Sequence, residues 1–232
     1  MNTKNTKNEY SKITLANVKK SPIVKMFIKS ADNYLGEIGY TEHGKRHVSL
    51  VASIAKTVLL RLGYSKRYQE LAEIAGYMHD IGNIVNRHDH GQSSALIAMR
   101  LLKDLMMDPE EIALIISAIG NHEQTGDPMN PIAAALVLAD KSDVHKTRVR
   151  SLRRNALDHN IHERVNYAVK KSSLEVNKDK KIISLYLVIN IQKFSVMEYF
   201  EIFMDRMHIC KRAAEDFFDC TFELIINERQ LL

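Results

Sequence analysis

A mainly α-helical protein with a small β-α-β unit (α+β) at its C-terminal end is the fold class that the sequence predicts. Three observations carry the prediction. Apolar residues recur at helical spacing through about residue 150, helix-capping residues punctuate the same stretch, and runs rich in β-branched and aromatic residues appear only after about Asn160.

The elements follow in order. Met1 to Lys20 is rich in Asn, Thr, Ser and Lys, lacks the apolar core of a secretory signal, and reads as a flexible leader. From His47 to Leu62 the residues Val48, Val51, Ile54, Ala55, Val58 and Leu62 keep the i, i+3, i+4 spacing, and Gly63 supplies the stop. A second helix is expected from about Lys66 to His79. A third, from Gln92 to Met106, carries Ala95, Met99, Leu102 and Leu105 or Met106 on its inward face. Asp108, Pro109 and Glu111 give the next helix an acidic cap, a first-turn proline and a glutamate placed to reach back, and that helix ends near Gly120. Asn130 and Pro131 open another, which runs through Ala133, Leu136, Val137 and Ala139 to Asp140. Ile182 to Ile191 and Phe222 to Ile226 read as strands. Between them Ser195 and Glu198 form a capping box ahead of a long helix with Met197, Phe200, Phe203, Met204 and Met207 on one face. A crossover of that length lets the two strands lie parallel, and Val165 to Val176 or a second subunit is expected to complete the sheet. The chain therefore divides into a leader (1–20), a helical unit (21–158) and a small α/β unit (159–232).

Composition sets the bounds. The 232 residues, 45% hydrophobic and 26% charged, can bury a sizeable core. The charge-free stretch around Ile182 to Gln192 is far shorter than the roughly 20 apolar residues of a membrane span. Two cysteines, Cys210 and Cys220, stand outside any CxxC pairing, which points to a reducing, cytoplasmic setting. Much of the net charge of +5 lies in one run from His145 to Arg154, with Lys146, Arg148, Arg150, Arg153 and Arg154. It reads as a solvated helix face, with phosphate or nucleic acid as the sharper alternative.

The chemistry lies in the histidines and aspartates. His47 opens one helix and His79-Asp80 closes the next. His90 begins another, His122 lies just past a helix end, and Asp140 closes the helix after it. Successive helices thus offer metal-ligand side chains at their ends in the order His, His-Asp, His, His, Asp. Imidazole and carboxylate without thiolate suit Mn, Fe, Co, Ni or Zn.

This order resembles the HD superfamily of metal-dependent phosphohydrolases, over roughly residues 40 to 155. The segments that carry the resemblance are HVSLVASIA at His47, MHDIGN at His79, HGQSSALIA at His90, GNHEQTGDP at His122 and LADKSD at Asp140. A more distant similarity is to the HD-GYP branch, matched by Asn121, His122, Glu123 and then Gly126, Asp127, Pro128. Asn121 stands where that branch has the first of two paired histidines, and Asn83 replaces the lysine that often follows its HDIG. Cyclic dinucleotide hydrolysis is therefore not carried over.

The resemblance implies an HD helical bundle and one metal ion on His47, His79, Asp80 and Asp140. Asp80 would bridge to a second ion on His90 and His122, and single-metal members would instead leave those two histidines around phosphate. It further implies hydrolysis of a phosphoester, in a nucleotide or another small phosphorylated metabolite, by a hydroxide that paired metals generate at neutral pH. Asp80, His122 and Lys141 are the catalytic candidates. Arg87, Lys45 and Arg46 are further phosphate-clamp candidates, His43 is a candidate extra ligand or acid, and Asp143 is expected to orient a neighbour. His88 competes with His90 but is placed in the loop. His145, His159, His162 and His208 fall outside the matching segments and read as structural. Two other functions stand beside this one, a di-iron oxygenase with a similar ligand set and a non-catalytic nucleotide-binding regulatory module. A homo-oligomer, such as a dimer, is expected because the short sheet cannot easily protect its edges alone.

Overall fold

The computed structural model describes residues 10–123, 128–150, 161–192 and 196–231. The helical part comprises α1 (Leu15–Lys20), α2 (Pro22–Glu37), α3 (Lys45–Leu62), α4 (Lys66–Met78), α5 (His90–Asp104), α6 (Pro109–Gly120) and α7 (Pro131–Ser142). A 3-10 turn at Ile81–Ile84 separates α4 from α5. A second such turn at Lys146–Arg148 precedes α8 (Ile161–Ala168), which leads into β1 (Val169–Asn177) and β2 (Ile182–Ile189). The long α9 (Val196–Phe218) then crosses to β3 (Thr221–Ile226) and the short β4 (Arg229–Gln230).

Local chemistry sets most helix ends where the sequence predicts them. Asp108 accepts from the Glu110 N–H at the head of α6, and Asn130 accepts from the Ala133 N–H at the head of α7. Such side-chain caps contribute about 1 kcal/mol each. Gly63 closes α3 in the left-handed region at φ 86°, which glycine adopts without strain. Two local expectations are corrected. The leader does not extend to residue 20, because Thr14 and Asn17 form a capping box and α1 buries Leu15 and Val18. Glu111 does not reach back along its own helix but pairs with Arg67 of α4.

The helix that organises the fold is α7, whose residues 132–139 are buried on every side by α3, α4, α6 and α9. Small side chains at Ala133, Ala134 and Ala135 permit that crowding. Two glycines set the approach of the site-bearing segments. A Cβ on Gly76 of α4 would stand 2.8 Å from the Ala52 Cα of α3, so only glycine lets these helices close. A Cβ on Gly82 would meet the Ser94 nitrogen at 2.3 Å and the His90 carbonyl at 2.5 Å. Glycine there lets the head of α5 lie on the turn after Asp80, where the Gly82 N–H donates to Ser94 Oγ at 2.7 Å.

The C-terminal sheet has the order β1-β2-β3-β4. The expected parallel pair is β2 and β3, with Ile182 opposite Thr221, and α9 is its crossover. β1 runs antiparallel to β2 and falls within the stretch expected to complete the sheet, although residues 165–168 belong to α8. The buried face of α9 differs from the expected one. Tyr199, Phe203, Met207, Cys210 and Ala214 face inward, whereas Met197 is 71% exposed and Met204 also points outward. Helix α9 packs against both α7 and β3, so two partners rather than the methionine periodicity decide its inward face. Helix α5 is displaced in the same sense, burying Ala98, Leu101 and Leu102 while Met99 and Met106 are exposed. One continuous cluster of buried side chains runs from Ile13 to Ile226. The expected boundary between units at 158/159 and the Ser195 cap lie outside the described residues.

Candidate metal centre

Each sequence-predicted ligand arrives by a different route. His47 projects from the first turn of α3 and His79 caps the C-terminus of α4, with Asp80 following at the head of the 3-10 turn. His90 is the first residue of α5, held beside Asp80 by the close approach at Gly82. His122 follows the end of α6, and Asp140 lies in the last turn of α7. The tertiary fold brings all six together. Any ion there would find three overlapping triads whose ligand atoms lie within 4.8 Å of one another: His47, His79 and Asp80; His79, His122 and Asp140; Asp80, His90 and His122.

The inner group is compact. His47 Nε2 lies 3.3 Å from His79 Nε2, 3.5 Å from Asp80 Oδ2 and 3.3 Å from Asp140 Oδ1. His79 Nε2 lies 3.3 Å from Asp80 Oδ2 and 3.6 Å from Asp140 Oδ1. Ligands at the usual 2.0–2.1 Å from a tetrahedral ion stand about 3.4 Å apart, so the group has the size of a metal site. The other Asp80 oxygen turns away, with Oδ1 3.2 Å from His90 Nε2, which is the disposition of a bridging carboxylate.

The Nδ1 of each of these four histidines has a carbonyl or carboxylate acceptor beside it, although His90 Nδ1 also lies 3.2 Å from the Arg87 guanidinium. His79 Nδ1 donates to the Gly76 carbonyl at 2.8 Å, His122 Nδ1 to the Ile119 carbonyl at 2.6 Å, and His90 Nδ1 to the Arg87 carbonyl at 3.2 Å. His47 Nδ1 donates to Asp143 Oδ2 at 2.7 Å. Carbonyls and carboxylates fix the proton on Nδ1 and leave each Nε2 lone pair aimed into the centre, as metal-ligating histidines require. Among the described residues, His122 Nε2 and Asp80 Oδ2 are buried without a hydrogen-bond partner. Buried polar atoms are rarely left so, and a divalent cation satisfies both; the residues present fit such an ion.

Without an ion, the carboxylates draw a second proton onto the inner pair of histidines, where a cation would replace it. Burial and Arg148 oppose charge on His47, yet Asp140, Asp143 and Asp80 override them and push its pKa up to about 9. Burial likewise opposes charge on His79, but Asp80 and Asp140 push it up to about 10. Burial and the neighbouring His79, His90 and Lys141 push His122 down to about 3, so it is a neutral imidazole at pH 7. Burial works against the Asp80 and Asp140 carboxylates, but the histidines, together with Lys141 for Asp140, hold both well below the usual range.

Glu123 belongs to the site and was not among the sequence candidates. Its Oε1 lies 3.1 Å from His90 Nε2 and 3.7 Å from His122 Nε2, and its side chain is 34% exposed. Its adjacency to His122 and its place in the segment similar to the HD-GYP branch were the sequence signals. Lys141 is buried, with Nζ 2.6 Å from Asp140 Oδ2, so its ammonium balances a ligand carboxylate. Asp143 orients His47, as expected, and is itself gripped by Arg46, whose guanidinium also pairs with Glu42. Lys45 is exposed. Arg87 reaches His90 at 3.0 Å. His43 lies outside the triads, with Nδ1 2.6 Å from the Thr41 carbonyl and its ring edge-on to His47 at 5.3 Å. His88 is exposed on the loop, as expected.

The charge run is solvated only in part where it is described. Its first part is the 3-10 turn, Lys146 and Arg150 are exposed, Arg150 pairing with Asp32, but Arg148 is only 3% exposed. Arg153, Arg154 and His159 lie outside the described residues, as do Gly126 and Asp127.

A helical fold whose converging ends carry paired histidines and aspartates has side chains that could hold a metal ion, and comparison with known proteins bears on its class. Residues 44–145 match the HD domain family. Those residues therefore carry an HD domain, a kind of domain commonly found in metal-dependent hydrolases. It is 27% identical over 154 residues to an uncharacterized protein of Methanocaldococcus jannaschii, covering 56% of this chain and 59% of the relative. The match thus spans about three-fifths of that relative's length. It is also similar to a crystal structure of a predicted HD superfamily hydrolase from an uncultured Thermotogales bacterium. There the TM-score is 0.43 at 21% identity, covering 57% of this chain and 75% of that one. Among the described residues no helix is long and apolar enough to cross a membrane.

Proposed function

We propose that this chain is a metal-dependent phosphohydrolase acting on a nucleotide or another small phosphorylated metabolite. One observation carries the reading: four buried imidazoles, each with an acceptor beside Nδ1, turn Nε2 toward the buried Asp80 and the half-buried Asp140. His47, His79, Asp80 and Asp140 would hold one divalent ion, and Asp80, His90 and His122 a second. Mn, Fe, Co, Ni and Zn all suit the donor set. Bound there, paired divalent ions supply Lewis acidity toward a phosphoryl oxygen and acidify water at neutral pH.

The chain's own groups divide the remaining work. Asp143 keeps the His47 proton on Nδ1, and Lys141 offsets the Asp140 charge. Arg87, beside His90, is placed to meet phosphate oxygens, which its planar fork matches. The test is elemental analysis of protein purified without chelator, paired with hydrolysis of a phosphoester panel under Mn, Fe, Co and Ni. Hydrolysis that tracks metal content supports the reading. Bound metal with no hydrolysis across the panel sinks it, and oxygen consumption by mixed-valent iron would move the chain to the oxygenase alternative.

We also propose a homo-oligomer in a reducing, cytoplasmic compartment. β1 pairs with β2 on one side only among the described residues, and Cys210 and Cys220 are free, buried thiols. A monomer at micromolar concentration by light scattering would count against the assembly.

A further inference from the structure

The C-terminal unit has no part in the ligand set, yet it walls a second cavity beside it. This cavity, of about 220 Å³, is lined by Tyr40 and His43 ahead of α3, Arg87 of the loop before α5, Arg148 of the second 3-10 turn, His162 of α8 and Arg206 of α9. It touches the metal centre on two sides. His43 packs edge-on against His47, and Arg87 lies 3.0 Å from His90 Nε2.

The charge of the cavity is lopsided. Three guanidiniums and two imidazoles line it, and no carboxylate does so among the described residues. Arg148 is nearly fully buried; its Nε and Nη1 donate to the Glu42 and Asp143 carbonyls, Nε lies 3.8 Å from Asp143 Oδ2, and Nη2 is buried without a hydrogen-bond partner among the described residues. A buried guanidinium N–H left unmade is costly. Arg206 stacks on the Phe203 ring at 4.6 Å, with no carboxylate paired to it among the described residues. Arg87 stacks on Tyr40 at 5.3 Å. Burial lowers the pKa of Arg206, with Arg148 and Arg87 adding to the effect, and burial together with Arg206, Arg87 and Arg148 lowers His162. Among the described residues the guanidiniums around this cavity outnumber the carboxylates near them, of which Asp143 stands 3.8 Å from Arg148.

We propose that this cavity binds a second phosphate of the substrate, so that the enzyme acts on small metabolites bearing at least two phosphoryl groups. The helical unit would take the scissile group, and Arg206 and His162 of the C-terminal unit would hold the other. Guanidinium forks match phosphate oxygens in pairs, and three of them converge here with no carboxylate among the described lining residues. The volume lies below the roughly 300–1,000 Å³ of pockets that enclose whole drug-sized ligands, so it suits an anionic arm and not an entire nucleotide. The C-terminal unit thereby becomes a specificity element. The inference rests on the phosphohydrolase reading only for the fate of the scissile group.

Calorimetric titration of the metal-loaded protein with inorganic pyrophosphate and with inorganic phosphate tests it. Pyrophosphate should bind at least tenfold tighter than phosphate, and the gap should weaken as salt rises. Arg206→Gln should close most of that gap with metal content unchanged, and Arg206→Lys should keep part of it. Arg87→Gln, in an exposed loop, supplies an independent variant should Arg206→Gln fail to fold. Equal affinity for the two anions, or an unchanged gap in a folded Arg206→Gln or Arg87→Gln variant, would overturn the proposal. Tight pyrophosphate binding without hydrolysis of any phosphoester would leave the arm site standing and remove the hydrolytic reading alone.

Discussion

The inner half of the histidine cluster and the outer half use the same side chains in different surroundings. His47 and His79 project from helices locked together at Gly76, His47 is backed by the Asp143–Arg46–Glu42 chain, and Asp140 is backed by Lys141. His90 and His122 instead have backbone carbonyls behind them, and their carboxylate neighbour Glu123 is partly open to solvent. The contrast teaches that an inner ion would be caged by charge-compensated groups, while an outer ion would exchange more readily. Asp80 is common to both halves, one oxygen toward each.

Replacing the shared residue should have the largest effect. In Asp80→Ala both halves lose a ligand, so metal binding and hydrolysis should be abolished while circular dichroism keeps the helix content; full metal content in that variant would break the assignment. His90→Ala or His122→Ala should lower bound metal from about two ions to about one, measured by titration at matched free metal. Unchanged stoichiometry with weaker substrate binding would move these histidines to the phosphate. Asp143→Asn and Glu123→Gln sharpen the contrast further, each costing about 10–100-fold in affinity but for different ions. Competition with a graded chelator should show the tighter ion weakened in Asp143→Asn and the looser one in Glu123→Gln.

The smallest effect expected is on stability with pH. In metal-stripped protein His47 and His79 hold protons up to about 9 and about 10, above the 6.5 of an unperturbed imidazole. Their protonation stabilises the stripped fold fully below about 6.5 and is lost as pH rises through 9 to 10. The metal-loaded protein should behave oppositely over that range, because ion and protons compete for the same Nε2 atoms. Thermal melts of both forms between pH 6.5 and 10 should therefore diverge, and parallel curves would refute the competition.

Particular residues show how far local pattern reaches. His47, His79, Asp80, His90, His122 and Asp140 stand at helix ends, and those ends are written in local chemistry such as Gly63, Asp108 and Asn130. Glu123 was overlooked as a ligand neighbour because a glutamate after a helix end is ordinarily solvated, and only the approach of His90 makes it part of the site. Arg148 was assigned to a solvated face because a charge run carries no record of what folds over it. The inward faces of α5 and α9 were displaced because methionine periodicity cannot tell which neighbour a helix meets.

By itself the sequence determined the helical class, most element ends, the parallel strand pair and the six residues that converge, since caps, turns and periodicity act over a few neighbours. Tertiary structure alone decided that Asp80 turns one oxygen to each half of the cluster, that Lys141 balances Asp140, and that Arg206 comes within reach of Arg148 and Arg87. Those facts depend on contacts between segments tens of residues apart, where distance in space is set by packing around α7 and not by any local pattern.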